Sequence, residues 1–194
     1  TEPALGGIRL DSQSVLPKVR WYEKNEPENW RRTSMILGCG GYLTARLCGA
    51  RVVDQYEAGS YAPLVSGDGS HWEAGMHRIG HYARLMPHIA RGCSVVGHIS
   101  AEAARQTGLA EGTSVVAPTI DAAAEAVGSG VTQSGDMMLM YGSTGFFIAL
   151  HGGSQTLERS VSWQSTWLEP NLRTSASGIN TLGLFFTWFI KRFG

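Results

Sequence analysis

The residue best suited to chemistry is Asp121, which lies between the apolar run Ser114 to Ala117 and the alanine-rich segment Ala122 to Val127. The run predicts a buried strand, and the segment predicts a helix that ends at Gly128. Ligands of open α/β sheets bind beyond the carboxyl ends of strands, so Asp121 is placed where a substrate would bind and could accept a proton. An aspartate between a strand and a helix is more commonly a helix N-cap than a catalytic carboxylate. One carboxylate can fill both roles, because it has two oxygens.

A second candidate is the turn Gly142-Ser143-Thr144-Gly145, which separates the apolar segments Met137 to Met140 and Phe146 to Leu150. The two segments and the turn predict a β-hairpin. Backbone amides and hydroxyls on such a turn form a concave donor site for anions, including phosphate. From these four residues alone, a polar turn without a ligand is the stronger interpretation. The phosphate hypothesis gains weight only because the turn follows the Asp121 corner.

The remaining segments mix helices with strands, which places the chain in the α/β class. Helices are predicted at residues 14–25, 27–37, 42–48, 71–85, 101–106 and 178–193, with a loop at 54–69 and a short apolar run at 94–98. Ser14 and Ser100 suit helix starts, and Gly49 and Gly108 suit helix ends. Leu182 to Ile190 is too short for a bilayer, which needs about twenty apolar residues, so we expect a buried segment.

Composition excludes several classes of protein. The 194 residues carry 16 basic and 16 acidic side chains, for a formal net charge of zero. Binding of nucleic acid through its phosphates needs a basic excess, and so does a polybasic membrane anchor. Three cysteines without a Cys-x-x-Cys pair favour a reducing compartment, and we expect a cytoplasmic protein without a metal-binding residue set of its own.

The order of these segments resembles the FGGY carbohydrate kinases. Leu16 to Trp21, followed by Asn25 to Glu28, is similar to the family's Pro-Lys-x-x-Trp and Asn-x-Pro-Glu stretches. Later segments follow family patterns in register: Tyr42-Leu43, Leu47 to Gly49, Asp54, Ala58, Trp72, Val96-Gly97, Glu102 to Ala104, Thr107 to Leu109 and Gly112 to Val115. The matches are specific as an ordered set, although no single one is.

Two further matches carry the chemistry. Asp121 falls on the family's catalytic-base aspartate, and Tyr141 to Phe147 falls on its second phosphate motif. There are also departures. Pro118-Thr119-Ile120 stand where the family often has glycines, Gly40-Gly41 replace the usual Lys-Asp, and Cys48 replaces a threonine.

The resemblance implies an actin-like, ribonuclease-H-like ATPase fold and ATP-dependent phosphotransfer to a hydroxyl of a sugar or polyol. A pentulose such as xylulose is favoured, and the fold implies ATP with Mg²⁺. Asp121 would be the general base and a contact to the sugar, and Gly142, Ser143, Thr144 and Gly145 would hold phosphate. Gln13 stands near a substrate contact of related kinases, although a loop glutamine is usually only solvated.

The resemblance also implies that the chain is the middle part of a kinase. Residues 1–170 correspond to the latter part of the N-terminal domain and residues 171–194 to the start of the C-terminal lobe. Because the first phosphate loop and the adenosine lobe are missing from it, we expect the chain by itself to be inactive. A non-catalytic module that binds a sugar or a partner is the alternative, and a homodimer is left open. A hydrolase with a His–Ser pair ranks third, because no histidine lies in a recognisable nucleophile motif.

Overall fold

A computed structural model describes residues 10, 14–76, 78–153, 163–169 and 171–194. The chain forms two compact units, Thr1–Ile120 and Asp121–Gly194, called the first and second units below. Both contain helices and strands, which confirms the α/β class. No helix within the described ranges has the length and apolar character needed to cross a membrane.

The first unit begins with helices and continues with short strands. Its helices are α1 (Val15–Asn25), α2 (Pro27–Arg32), α3 (Cys39–Cys48), α4 (Gln55–Ala58) and α5 (Ala101–Thr107), with 3₁₀ turns at Gly59–Tyr61 and Gly80–Leu85. Its strands are β1 (Val52–Asp54), β2 (His88–Ala90), β3 (Val95–His98) and β4 (Ser114–Val116). β1 pairs with β2 in parallel, and β3 pairs with β4 in antiparallel orientation.

The main core of the first unit forms around one face of α1. Leu16 and Val19 are one helical turn apart, so both point to the same side and are buried. They pack in a cluster with Tyr61, Leu64, Ile79, Tyr82 and Met86. A second cluster joins Val52, Ala90 and Ala117, and it holds the end of β4 against the β1–β2 pair.

The second unit is built on a four-stranded antiparallel sheet. After α6 (Asp121–Gly128) come β5 (Met137–Tyr141), β6 (Gly145–Gly152), β7 (Trp163–Thr166), β8 (Leu172–Ile179) and α7 (Leu182–Phe193). The strand order is β5-β6-β8-β7, and the β5–β6 pair is the predicted hairpin. The sheet contains strands from both sides of position 170, since β6 pairs with β8. The domain boundary predicted at position 170 stays a prediction.

Three predicted segments differ from the structure. The helix predicted to run to residue 37 ends at Arg32, because the Ile36 amide bonds the Leu85 carbonyl at 2.7 Å and draws the chain out of the helix. The helix predicted at 71–85 is wrong except for the 3₁₀ turn at its end, since the Glu73 amide bonds the Leu64 carbonyl at 2.8 Å. The loop predicted at 54–69 contains α4.

Helix α7 also differs from the prediction. It begins at Leu182, because Gly178 and Ile179 belong to β8. None of its residues is buried, so the expectation of a buried segment is wrong. Most of its large apolar side chains are about half exposed or more: Leu184, Phe185, Phe186, Trp188, Phe189, Ile190 and Phe193. An apolar sequence predicts a surface that avoids water, but burial requires a neighbouring element to cover it.

Candidate active site

Asp121 is the first residue of α6, and its side chain is exposed. Its Oδ1 accepts a hydrogen bond from the Ala122 amide at 2.7 Å. Oδ2 has no hydrogen-bond partner among the residues that the structure describes. Ala123 and Ala126, one turn apart, are fully buried and fix the inner face of α6. Asp121 therefore contributes to the helix start and still presents one carboxylate oxygen to solvent.

The segment that leads into Asp121 is held from several directions. Ala117 is buried, and its amide bonds the Ser94 carbonyl at 2.8 Å. A Cβ atom built on Gly40 would lie 2.6 Å from the Cβ of Pro118, so Pro118 lies directly on the α3 backbone. A Cβ atom on Gly41 would lie 2.8 Å from the Val52 carbonyl oxygen. Both glycines that depart from the family pattern are thus explained by close packing.

The candidate phosphate turn closes the β5–β6 hairpin. Tyr141 pairs with Gly145, and the Gly142 amide bonds the Thr144 carbonyl at 2.9 Å. Ser143 and Thr144 are exposed, and their hydroxyls form no hydrogen bond within the described segments. The Gly142 carbonyl accepts the Gly183 amide at 3.0 Å, which brings the amino end of α7 against the turn. The turn is therefore closely supported, with two hydroxyls available for a ligand.

The predicted site residues are only partly brought together. Asp121 and the turn Gly142 to Gly145 belong to the same compact unit, but no hydrogen bond or ion pair joins them in the described part of the chain. Gln13 lies outside the described residues. Within those ranges, no group of three or more His, Cys, Asp or Glu side chains could hold a metal ion. The roles of these residues stay predictions.

Two buried carboxyl groups in the first unit were missed by sequence reasoning. Asp54 is fully buried and Glu57 is 7% exposed. Oδ1 of Asp54 caps α4 by accepting the Glu57 amide at 2.7 Å. The Glu57 carboxyl group fills the space that a side chain at Gly38 would take. One signal was present in the sequence, since Asp54 directly follows two valines and precedes a helix.

Burial dominates the electrostatics of this pair. It raises the pKa of Asp54, while the Glu57 amide, the Thr119 hydroxyl and the Tyr56 amide act in the opposite direction. Burial, and then the negative charge of Asp54, raise the pKa of Glu57 to about 7. Burial and the charge of Glu57 likewise raise the pKa of Tyr61 to about 12. The low local dielectric disfavours two charges so close together, so the pair retains a proton below neutral pH.

A histidine and a serine do meet in the second unit. His151 Nε2 lies 3.1 Å from the Ser175 hydroxyl, and the two residues are 7% and 3% exposed. They stand on the adjacent strands β6 and β8. Because both side chains are enclosed by the sheet, this contact joins two strands and offers no accessible nucleophile. It gives the hydrolase alternative no support.

The comparisons with known proteins agree with one another. The N-terminal domain of the FGGY family of carbohydrate kinases matches residues 4–128. The xylulose kinase of Bacillus subtilis (strain 168) is 28% identical over 136 residues, which is 70% of this chain and 27% of that protein. The xylulose kinase of Escherichia coli (strain K12) is 30% identical over 140 residues, 71% of this chain and 28% of that protein.

The solved structures show the same relationship. The crystal structure of xylulose kinase from Rhodospirillum rubrum superposes on this chain with a TM-score of 0.82 at 27% identity. The match covers 93% of this chain and 37% of the Rhodospirillum rubrum chain. The chain belongs to the FGGY family of carbohydrate kinases, and xylulose kinases are among its relatives. Its fold is part of the actin-like ATPase fold of that family. The chain spans about a quarter of the length of the curated relatives it matches.

Proposed function

We propose that the protein containing this chain transfers a phosphoryl group from ATP to a hydroxyl of a sugar or polyol, with Asp121 as the general base. The observation that carries the proposal is the position of Asp121, which is exposed at the start of α6 with one carboxylate oxygen unpaired among the described residues. It falls where the family has its catalytic aspartate. A pentulose such as xylulose is the favoured substrate, because the relatives reported above are named xylulose kinases.

The chemistry requires little of the protein beyond positioning and charge. In phosphoryl transfer, the hydroxyl must be oriented toward the γ-phosphorus and its proton must have an acceptor. Asp121 Oδ2 can accept that proton while Oδ1 remains bonded to the Ala122 amide. The bond to the amide would keep the carboxylate from rotating away from the substrate. The bond to the Ala122 amide and the role of general base are therefore compatible in the same side chain.

The hairpin turn fits the phosphates of ATP in its donor chemistry. Ser143 and Thr144 offer hydroxyls with no competing partner in the described segments. The amino end of α7 lies beside the turn through the bond from the Gly183 amide to Gly142, and the partial positive charge of a helix amino end favours a nearby anion. ATP would arrive with Mg²⁺, which neutralises phosphate charge. The described side chains of this chain form no set of metal ligands of their own.

The decisive test compares two carboxylates of the same helix in the full-length protein. Asp121→Asn should reduce turnover by about 10²–10⁴-fold, because it removes the proton acceptor, while sugar affinity largely survives. Glu125→Gln is the matched control, since Glu125 is exposed one helical turn further along α6. It should leave turnover unchanged. A coupled ADP assay measures turnover, and calorimetry with xylulose measures binding.

Two outcomes would change the proposal. Normal turnover in Asp121→Asn would remove Asp121 from the mechanism. Binding of xylulose by the wild-type protein without any ADP release, over a panel of ketoses and polyols, would favour the alternative of a non-catalytic sugar-binding module.

A further inference from the structure

The candidate phosphate turn packs so closely against the start of α7 that two positions have no room for a side chain. A Cβ atom built on Gly183 would overlap the Gly142 carbonyl oxygen and lie 3.1 Å from the Gly142 carbonyl carbon. A Cβ atom built on Gly145 would lie 2.8 Å from Cδ2 of Leu182. Glycine is the residue that permits such a close approach of one backbone to another.

The order of the elements explains this packing. Ile179, at the end of β8, pairs with Gly145, at the start of β6. Helix α7 begins three residues later, so the chain enters the helix directly beside the turn. The Gly183 amide then donates to the Gly142 carbonyl at 3.0 Å. The turn is thus held at its first residue by a backbone hydrogen bond and at its last residue by the Leu182 side chain.

The other strand of the hairpin gives the turn no outside support. β5 is the edge strand of the sheet and pairs only with β6 in the part of the chain that the structure describes. Its residues Met137, Leu139 and Tyr141 are exposed. Ser143 and Thr144 are exposed too, and their hydroxyls bond no described residue. The contacts with β8 and α7 are therefore the ones that can hold these two hydroxyls in place.

We propose that Gly183 is a positioning residue that fixes the turn Gly142 to Gly145 in the conformation that presents Ser143 and Thr144 to a phosphate group. The contact joins two backbones, so a side chain at position 183 would push the turn away from the helix. Glycine is otherwise an unfavourable residue in a helix, and the contact explains its presence in the first turn of α7. The phosphate part rests on the proposed function, whereas the support of the turn does not.

The support should matter for ATP more than for the sugar. Donors that stabilise phosphate charge act well only when they are held in place before the ligand arrives. A displaced turn would lose hydrogen bonds to ATP, and the KM for ATP would rise. The proposed sugar contact is Asp121, which is not part of the turn, so the KM for the sugar should stay unchanged. General damage to the fold would not separate the two substrates in this way.

The test disturbs the support in two ways in the full-length protein. Gly183→Ala crowds the Gly142 carbonyl, and Leu182→Ala removes the side chain that packs on Gly145 without crowding anything. The second variant keeps the test valid if the first fails to fold. Gly152→Ala is the matched control, because Gly152 ends the same strand β6 and a Cβ atom there has no atom within 4 Å.

Amide hydrogen exchange and kinetics are measured on each variant. Exchange is followed at residues 142–145, with the Leu150 amide as the internal reference, since it bonds the Asp136 carbonyl at 2.9 Å near the other end of the hairpin. Gly183→Ala and Leu182→Ala should speed exchange at the turn by about tenfold and raise the KM for ATP by about tenfold, the effect of losing roughly one hydrogen bond. The KM for xylulose should stay within about twofold, and Gly152→Ala should change none of these values.

Three results would overturn the proposal. Exchange at the turn in Gly183→Ala no faster than in Gly152→Ala would show that Gly183 does not support it. Faster exchange with an unchanged KM for ATP would remove the positioning role. An equal rise in the KM for both substrates would show general damage instead of a displaced phosphate site.

Failure of the proposed function is recognised separately. If the wild-type protein neither binds ATP nor releases ADP, the turn is not a site for ATP phosphates. The exchange measurement still decides whether Gly183 supports the turn, since it requires no nucleotide.

Discussion

Asp54 and Asp121 both stand at the start of a helix, in two different regions of the molecule, and their surroundings differ. Asp54 closes the short strand β1 and caps α4 from a fully buried site. Asp121 follows β4 after a four-residue connection and opens α6 from an exposed site. Each accepts a backbone amide at 2.7 Å from the first turn of its helix. Asp54 bonds the amide three residues on, as an N-cap does, whereas Asp121 bonds the amide of the next residue. The two carboxylates therefore differ in local geometry as well as in burial.

The difference shows what burial does to an aspartate. Around Asp54, burial raises the pKa, and a second carboxyl group, Glu57, is drawn into the same enclosed region. Such a group is restricted to holding structure, because no substrate reaches it. At Asp121 one oxygen stays available in the described structure. A proton acceptor for a sugar hydroxyl needs this access, and the predictions below test how far the two regions differ.

The largest effect is expected at Glu57. Its pKa of about 7 in the folded protein exceeds the value of 4.5 for an ordinary glutamate, so the folded state binds the proton more tightly than the unfolded chain does. The stability from this group is complete below about pH 4.5 and is lost as pH rises through about 7. Relative to wild type, Glu57→Gln should therefore gain about 3 kcal/mol in unfolding free energy between these limits.

Urea unfolding at a series of pH values measures this difference. Glu125→Gln, on the exposed face of α6, provides a control that should show no such trend. A difference between Glu57→Gln and wild type that does not change with pH would show that folding does not raise the pKa of Glu57.

The second comparison concerns the two aspartates directly. Asp54→Ala should lower the unfolding free energy by about 2 kcal/mol, because it removes the cap of α4 and leaves the Glu57 amide unpaired in a buried site. Asp121→Ala should cost about 0.5 kcal/mol, since water can replace its carboxylate at the exposed helix start. Urea unfolding gives both values, and hydrogen exchange at the Glu57 amide reports the cap. Equal costs for the two variants would contradict the contrast drawn here.

A smaller effect than that of Asp54→Ala is expected at the contact between Gly40 and Pro118, in the segment before Asp121. Gly40→Ala places a methyl group 2.6 Å from the Pro118 Cβ. The resulting crowding costs about 2 kcal/mol, offset by about 1 kcal/mol of helix propensity, so a net loss of about 1 kcal/mol is expected. Gly128→Ala, with no atom near the added methyl group, should change stability by less than about 0.5 kcal/mol. Thermal unfolding compares the two, and no loss in Gly40→Ala would show that the segment can move away from α3.

Elements with strong local signals were predictable from sequence. Ser100 caps α5 through the Ala103 amide, and Gly108 ends the same helix with a φ of 77°. Gly49 ends α3 in the same way, with a φ of 80°. The β5–β6 hairpin follows from two apolar segments and a four-residue turn. In each case the signal and the structure it causes lie within a few residues, so no distant contact is needed.

Elements that depend on distant partners were not predictable in the same way. Strand β7 was missed because it is defined by pairing with β8. The helix expected at 71–85 gives way to turns, because residues of that segment bond and pack against residues 64 and 65. Helix α7 has the composition of a buried segment and is exposed, since the described residues supply no covering surface.

The sequence by itself determined where an aspartate stands between a strand and a helix, and where the candidate phosphate turn lies. It also determined which family the order of these segments resembles. Those features depend on neighbours along the chain. Only the tertiary structure decided that Asp54 is enclosed, that Glu57 shares its site and that Asp121 remains open to solvent. Burial arises from residues far apart in sequence, and it is burial that makes one carboxylate structural and leaves the other available for chemistry.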